Sequence, residues 1–171
     1  MIKMILKSVL VLSFGLLITG FKVPPEDTSL FSIGRSKDAN EIHYALNLDE
    51  YNALNAKNPI QVYWIKRTRK NKIVPLTWIQ QKFAYGIVYL SKSENYAKFR
   101  LAAYDKRVFE LKKNKNNEFK VFTMSNNMEV EVDRVFIHIT GGTFWIPKIP
   151  KVELYATLSR TDKKIKETII P

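Results

Sequence analysis

Residues 58–67 read NPIQVYWIKR, and the rest of the chain is best understood outward from them. Pro59 ends whatever precedes it. Ile60, Val62 and Trp64 then point one way and Gln61, Tyr63 and Ile65 the other, both sides largely apolar or aromatic. This pattern predicts a β-strand covered on both faces, near the middle of a sheet. The strand runs out into Lys66-Arg67-Thr68-Arg69-Lys70-Asn71-Lys72, a charge run that belongs in water. The stretch describes a core strand and its basic exit; it carries no sign of a reaction.

On the N-terminal side, Ile42, Tyr44, Leu46 and Leu48 alternate with His43, Ala45, Asn47 and Asp49, as in a half-buried strand. Phe31 to Asn40 (FSIGRSKDAN) is expected to be an irregular basic segment, and Glu50 to Asn58 a loop. On the C-terminal side, Pro75 to Phe83 (PLTWIQQKF) predicts a helix of about two turns. Thr77 suits its N-cap or Pro75 an early helical position, and Leu76, Ile79 and Phe83 share a face. Strand character returns over Ala84 to Leu90, where Gly86 marks a bulge or a close backbone approach. Tyr96 to Tyr104, Arg107 to Lys113 and Glu118 to Met124 follow, the last two joined by the hairpin signal Asn114-Lys115-Asn116-Asn117. Met128 to Ile139 is long, and its apolar phase changes between Val132 and Val135, which predicts a bulge at Asp133 or Arg134. Gly141-Gly142 is a turn, Pro147 and Pro150 bracket a rigid connector, and strands are expected at Val152 to Leu158 and Glu167 to Ile170.

The spacing predicts an all-β protein: a single antiparallel β-sandwich or open barrel of about eight or nine strands with one short helix. At 171 residues the chain suits one domain with a real core, placed at 30–171. Residues 1–20 read as a signal peptide: Lys3 and Lys7 form a positive n-region, Ser8 to Ile18 an apolar h-region, and Thr19-Gly20 a cleavage point before Phe21. Ile18-Thr19-Gly20 matches a small-x-small site imperfectly, which leaves retention as an anchor open. Residues 21–29 read as a flexible, proline-bearing linker. The expected location is therefore outside the cytoplasm, in the periplasm or at the cell envelope.

The formal charge is +12, and without Lys3 and Lys7 it is +10. Such an excess favours anionic partners, a membrane surface or an acidic polysaccharide, although most of the charges sit at predicted turns of a solvated surface. Basic residues beside Tyr63 and Trp64 superficially resemble a nucleic-acid stripe, but export disfavours that partner. With no cysteine, a disulfide, a thiolate nucleophile and a lipoprotein anchor are excluded.

Catalytic signatures are missing. No serine lies in G-x-S-x-G, Gly141-Gly142-Thr143 lacks the lysine and helix of a phosphate loop, and Glu129, Glu131 and Asp133 read as a solvated sheet face. His43 and His138 would need a third ligand such as Asp49 or Asp133 to hold a metal, and nothing in the spacing requires it; no cofactor is implied. Binding is the better category. Trp64, Trp78, Trp145, Tyr44, Tyr63 and Tyr85 are many large rings for one small domain, whether they fill the core or stack on a ligand. Candidate ligand-binding residues are Arg35, Ser36, Tyr44, Tyr63, Trp64, Tyr85 and Arg100.

Four segments, FSIGRSKDANEIHYALNLD (31–49), NPIQVYWIKR (58–67), PLTWIQQKFAYGI (75–87) and VELYATLSRTDKKIKETIIP (152–171), carry a resemblance. In Arg-Ser, Pro-Ile-x-Val-Tyr-Trp and Ala-Tyr-Gly the chain resembles a family of exported bacterial proteins known only as a domain of unknown function. The resemblance implies a single secreted domain with no assigned reaction, and directs attention to Arg35, Ser36, Tyr44, Tyr63, Trp64, Tyr85 and Gly86. The leading expectation is a non-enzymatic domain that binds an envelope ligand or protein partner. One alternative is an envelope hydrolase using His43 and Asp49 on a polysaccharide or ester. The other is a membrane-surface accessory protein held by its basic loops.

Overall fold

A computed structural model describes residues 23–25, 28–51, 53–143 and 146–171. The leader expected over residues 1–20 and the ring of Trp145 lie outside them. In chain order the elements are β1 (Ser29–Arg35), β2 (Asp38–Leu46), β3 (Ile60–Lys66), β4 (Lys72–Pro75), α1 (Trp78–Gln80), β5 (Ile87–Ser93), β6 (Tyr96–Leu101), β7 (Tyr104–Lys113), β8 (Phe119–Ser125), β9 (Met128–His138), β10 (Gly141–Gly142), β11 (Pro147–Lys148), β12 (Lys151–Leu158) and β13 (Lys164–Ile169). The structure is mostly strand: a curled half-barrel whose main path runs β4-β3-β2-β1-β9-β8-β7-β6-β5, with the β12–β13 hairpin off that path.

β9 is the spine. Its first half, Met128–Glu131, pairs antiparallel with β8, and its second half, Arg134–Ile137, pairs parallel with β1. Along most of its length the opposite edge is covered by β12. Two four-stranded meanders therefore hang from one edge of a single strand. The join falls at Asp133, the extra residue where Tyr155 pairs with Arg134 and Ala156 with Val132. This bulge is the phase change read in the sequence, and it keeps Val130 and Val132 on the same buried side as Val135. The Asp133 carboxylate accepts hydrogen bonds from Thr157 Oγ1 and Lys164 Nζ, both at 3.0 Å, which ties the bulge to β12 and β13.

The meanders curl until their apolar faces meet. Phe31 of β1 stacks on Tyr44 of β2 at 4.2 Å and on Phe109 of β7 at 6.3 Å, and Phe109 stacks on Phe99 of β6 at 5.6 Å. Ile42, Leu111, Val121 and Leu154 complete one continuous core. A seam closes the far edges: the Tyr89 hydroxyl of β5 accepts from Ile60 N and donates to Asn58 Oδ1. On the other side Arg107 of β7 makes a two-pronged ion pair with Glu167 of β13, at 2.7 and 3.1 Å.

Several local readings meet their structure directly. Thr77 caps α1 in a capping box: its hydroxyl accepts from Gln80 N, while Gln80 Oε1 accepts from Thr77 N. The β7–β8 hairpin turns on Asn117 at φ 64°, with Asn114 Oδ1 accepting from Asn116 N and Glu118 N. Two expectations are corrected. The segment from Phe31 to Asn40 is ordered strand, β1 and the start of β2, because Phe31 and Ile33 alternate inward under a polar surface. β3 lies second from the sheet edge, because the basic run continues into β4. Its outer face is covered by a ring, with His43 stacked on Tyr63 at 5.8 Å, and no second layer is needed there.

Candidate functional site

Between β1 and β2 the chain turns at Ser36-Lys37, and parity along β1 sends Arg35 to the same inner side as Phe31 and Ile33. After α1 the backbone widens into a π-helical turn, Gln81–Tyr85, which carries Tyr85 to meet it. Arg35 Nη1 donates to the Tyr85 hydroxyl at 2.9 Å, and Nη2 donates to the Asp38 carboxylate. The guanidinium lies 4.8 Å from the Trp64 ring centre and 5.8 Å from that of Tyr85, a cation held against two π faces. Its Nε is buried and finds no acceptor among the described residues. Trp64 meets Tyr85 edge-on at 5.5 Å and donates from Nε1 to Gln80 Oε1 at 3.3 Å. Arg35, Trp64 and Tyr85, scattered over 50 residues, thus form one constellation.

Arg35 and Tyr85 stand at the mouth of a cleft of about 650 Å³ between the β1–β2 turn, the π turn and the β10–β11 hairpin, with Trp64 buried behind them. Ile79, Phe83, Ile137 and Ile146 supply apolar walls; Arg35, Lys37 and Asp38 are its charged lining residues. A deeper space of about 180 Å³ is walled by Ile33, Leu101, Phe109, Val135 and Leu154, and shares Ala84, Tyr85, Ala103 and Ile137 with the mouth. An apolar interior behind a few convergent polar groups is the usual form of a small-molecule site. A concavity of similar size, about 640 Å³, faces outward from β7, β8 and β9. Its walls are charges already matched, Lys112 with Glu129 and Lys120 with Glu131, so it offers a ligand little unspent charge.

The remaining expected site residues are placed elsewhere. Tyr44 lies beneath the mouth, fully buried, its hydroxyl donating to the Tyr85 carbonyl at 2.7 Å; burial, with Tyr85 adding, raises its pKa well above the ordinary phenol value. It supports Tyr85 from below. Ser36 clamps the turn to the end of β9, accepting from Ile139 N and donating to Ile139 O. Tyr63 is on the opposite sheet face, against His43. Arg100 alternates with the core residues Phe99 and Leu101 of β6 and so points away from the cleft. Gly86 closes the π turn. Ile79, Phe83, Asp38 and Ala103 were not singled out as site residues. The helix pattern put Ile79 and Phe83 on one face with Leu76; in the structure Leu76 is buried, while Ile79 and Phe83 are 39% and 56% exposed.

The catalytic alternative named His43 and Asp49, which serve separate structures. Asp49 Oδ1 accepts from Tyr51 N and Ala53 N, both at 2.9 Å, ordering its own loop. Burial lowers the pKa of His43, opposed by Glu41 at 3.5 Å. The Glu41 carboxylate is desolvated, which by itself would raise its pKa, but Arg67 at 2.6 Å and Arg134 at 3.2 Å outweigh this and hold it low. Among the described residues no three His, Asp or Glu side chains stand together as a metal site.

A second polar cluster, on β12, is structural and testable. The Glu153 carboxylate receives Tyr155 Oη at 2.9 Å and Lys151 Nζ at 3.0 Å; His138 Nε2 is 3.1 Å away, in ion-pair reach without good hydrogen-bond alignment. His138, then Lys151 and Tyr155, hold the Glu153 pKa down at about 2. A carboxylate depressed in the folded state stabilises fully above its ordinary pKa, 4.5 here, and loses that contribution as pH falls toward about 2. In a Glu153→Gln chain, the drop in urea midpoint from about pH 5 to about pH 2.5 should be smaller than in the parent. Equal drops in both chains would remove Glu153 from the acid response.

A family model described as a domain of unknown function, DUF4833, matches residues 31–168. No curated protein and no solved structure matches the chain.

Proposed function

We propose that this chain, which belongs to the DUF4833 family, is a binding domain for an amphipathic small molecule, with no reaction of its own. The apolar part of the ligand occupies the space between the meanders and its polar head meets Arg35 and Tyr85. One observation carries the reading: Arg35 and Tyr85, hydrogen-bonded to each other and backed by the buried Trp64 ring, line the mouth of a cleft that opens onto an apolar space. Asp38 offsets the charge of Arg35, so recognition of the head rests on hydrogen bonding to Arg35 and Tyr85 together with the charge of Lys37. The reading extends to location. The Lys3 and Lys7 n-region and the apolar Ser8 to Ile18 run support export, and N-terminal sequencing of the protein made in a bacterial host should find Phe21 first; an intact Met1 would oppose it.

The test is calorimetric titration with dodecanoate and butanoate, two carboxylates that share a head and differ in chain. Dodecanoate should bind and butanoate should not. Ala103 is exposed and borders both spaces, so Ala103→Phe fills the passage without disturbing the core and should weaken dodecanoate at least ~tenfold. Unchanged affinity in that variant, or equal affinity for the two acids, would sink the reading.

A further inference from the structure

We infer that the rim of the cleft is a docking surface for an anionic lipid bilayer. Trp78, Phe83, Ile79 and Ile146 are 67%, 56%, 39% and 78% exposed. Isolated apolar residues on a surface are ordinary, but Ile79, Phe83 and Ile146 line one opening and Trp78 lies against Phe83 beside it, and apolar groups gathered on a water-facing surface mark an interaction site. Trp78 packs edge-on against Phe83 at 6.2 Å, and the Lys82 ammonium lies over both rings, 5.2 Å and 5.1 Å from their centres. Lys37 stands across the mouth, and Asp38, the acid of the cleft lining, is neutralised by Arg35.

Exposed tryptophan and aliphatic groups flanked by Lys37 and Lys82 match the layered chemistry of a bilayer surface. Rings and aliphatic chains enter the headgroup boundary, while ammonium groups meet lipid phosphates. The wider chain has the same sign, at +12. This inference rests on the proposed cleft ligand only for its purpose: docking mouth-down would let a single-chain lipid pass between membrane and cleft without crossing water. The surface itself stands on exposure and charge.

The chain has no cysteine, so Trp78→Cys in the full chain carries one environment-sensitive dye, beside the cleft but outside its lining. A control dye goes on Asn116→Cys, at the other end of β7 and roughly 30 Å from the mouth. Phosphatidylcholine vesicles containing phosphatidylglycerol should blue-shift the dye at position 78 and leave that at 116 unchanged. Replacing both Lys37 and Lys82 by Gln should weaken the vesicle response roughly thirtyfold, and salt at ~0.5 M should weaken it further. Attachment through the N-terminal apolar segment alone would bring the chain to vesicles without shifting the dye at 78, and would overturn the proposal. So would an equal shift with phosphatidylcholine alone, or a shift that grows with protein concentration in the absence of vesicles, which would make the rim a self-association face. Dodecanoate titration without vesicles reads the cleft separately, so either idea can fail by itself.

Discussion

Replacing Phe31 by alanine is expected to cost about 3–5 kcal/mol of folding stability, the range found when a buried phenylalanine is truncated without collapse of the site. Phe31 is 2% exposed and sits where the two meanders touch, its ring stacked on Tyr44 of its own meander and facing Phe109 of the other. Removing it takes away both the transfer of the ring from water and the contacts of its neighbours, in a place that strands paired along β9 cannot close over. Domains of this size are stable by roughly 5–15 kcal/mol, so the loss is a large fraction of the total. The urea midpoint, followed by circular dichroism, should fall accordingly, with a decrease in melting temperature of roughly 10 °C. Phe109→Ala and the double variant complete the test. If the two rings hold the meanders together, the pair should show a coupling of at least about 0.5 kcal/mol. Strict additivity, or a Phe31→Ala loss below about 1 kcal/mol, would mean that the faces do not pack as described.

Gly86→Ala should have the next largest effect, about 2–3 kcal/mol, and for a different reason. At φ −70° and ψ 174° the backbone of Gly86 is one that any residue adopts, so the requirement is for space alone. A Cβ there would stand 1.9 Å from the Gln81 carbonyl oxygen and 2.7 Å from its carbon. Both are backbone atoms that cannot swing aside. The π turn must open, and it carries Tyr85, whose hydroxyl accepts from Arg35 and whose carbonyl accepts from Tyr44. Gly86 O also accepts from Ala102 N, joining the turn to the β6–β7 corner. Alongside the lower urea midpoint, the fluorescence of the native protein should change, since Trp64 packs on Tyr85. A Gly86→Ala chain with unaltered stability and fluorescence would show that the turn relaxes at no cost and that the mouth is not rigid.

What could be read directly from the residues was whatever depends on neighbours along the chain. Alternation marked β2, β3, β6 and β12, and the Asn-rich hairpin marked the end of β7, because side-chain direction in a strand follows from position alone. The Thr77 cap and the close approach at Gly86 were legible for the same reason: each involves groups within five residues. The change of apolar phase in β9 narrowed the bulge to Asp133 or Arg134, and it falls at Asp133. It did not reveal that the bulge is where two meanders share an edge, nor that β1 joins β9 in parallel, because alternation orients a strand's faces and is silent on which edges meet. Likewise Arg35, Trp64 and Tyr85 could each be named as candidates, yet nothing local brings them together while sending Arg100 and Tyr63 to outer faces. β1 hid behind polar residues, and the shared face of Leu76, Ile79 and Phe83 did not tell that Leu76 enters the core while the other two stay in water. The residues decided the strands, the turns and the kinds of chemistry available. Only the curling of the half-barrel decided that a cation, a tyrosine ring and an apolar space would share one opening.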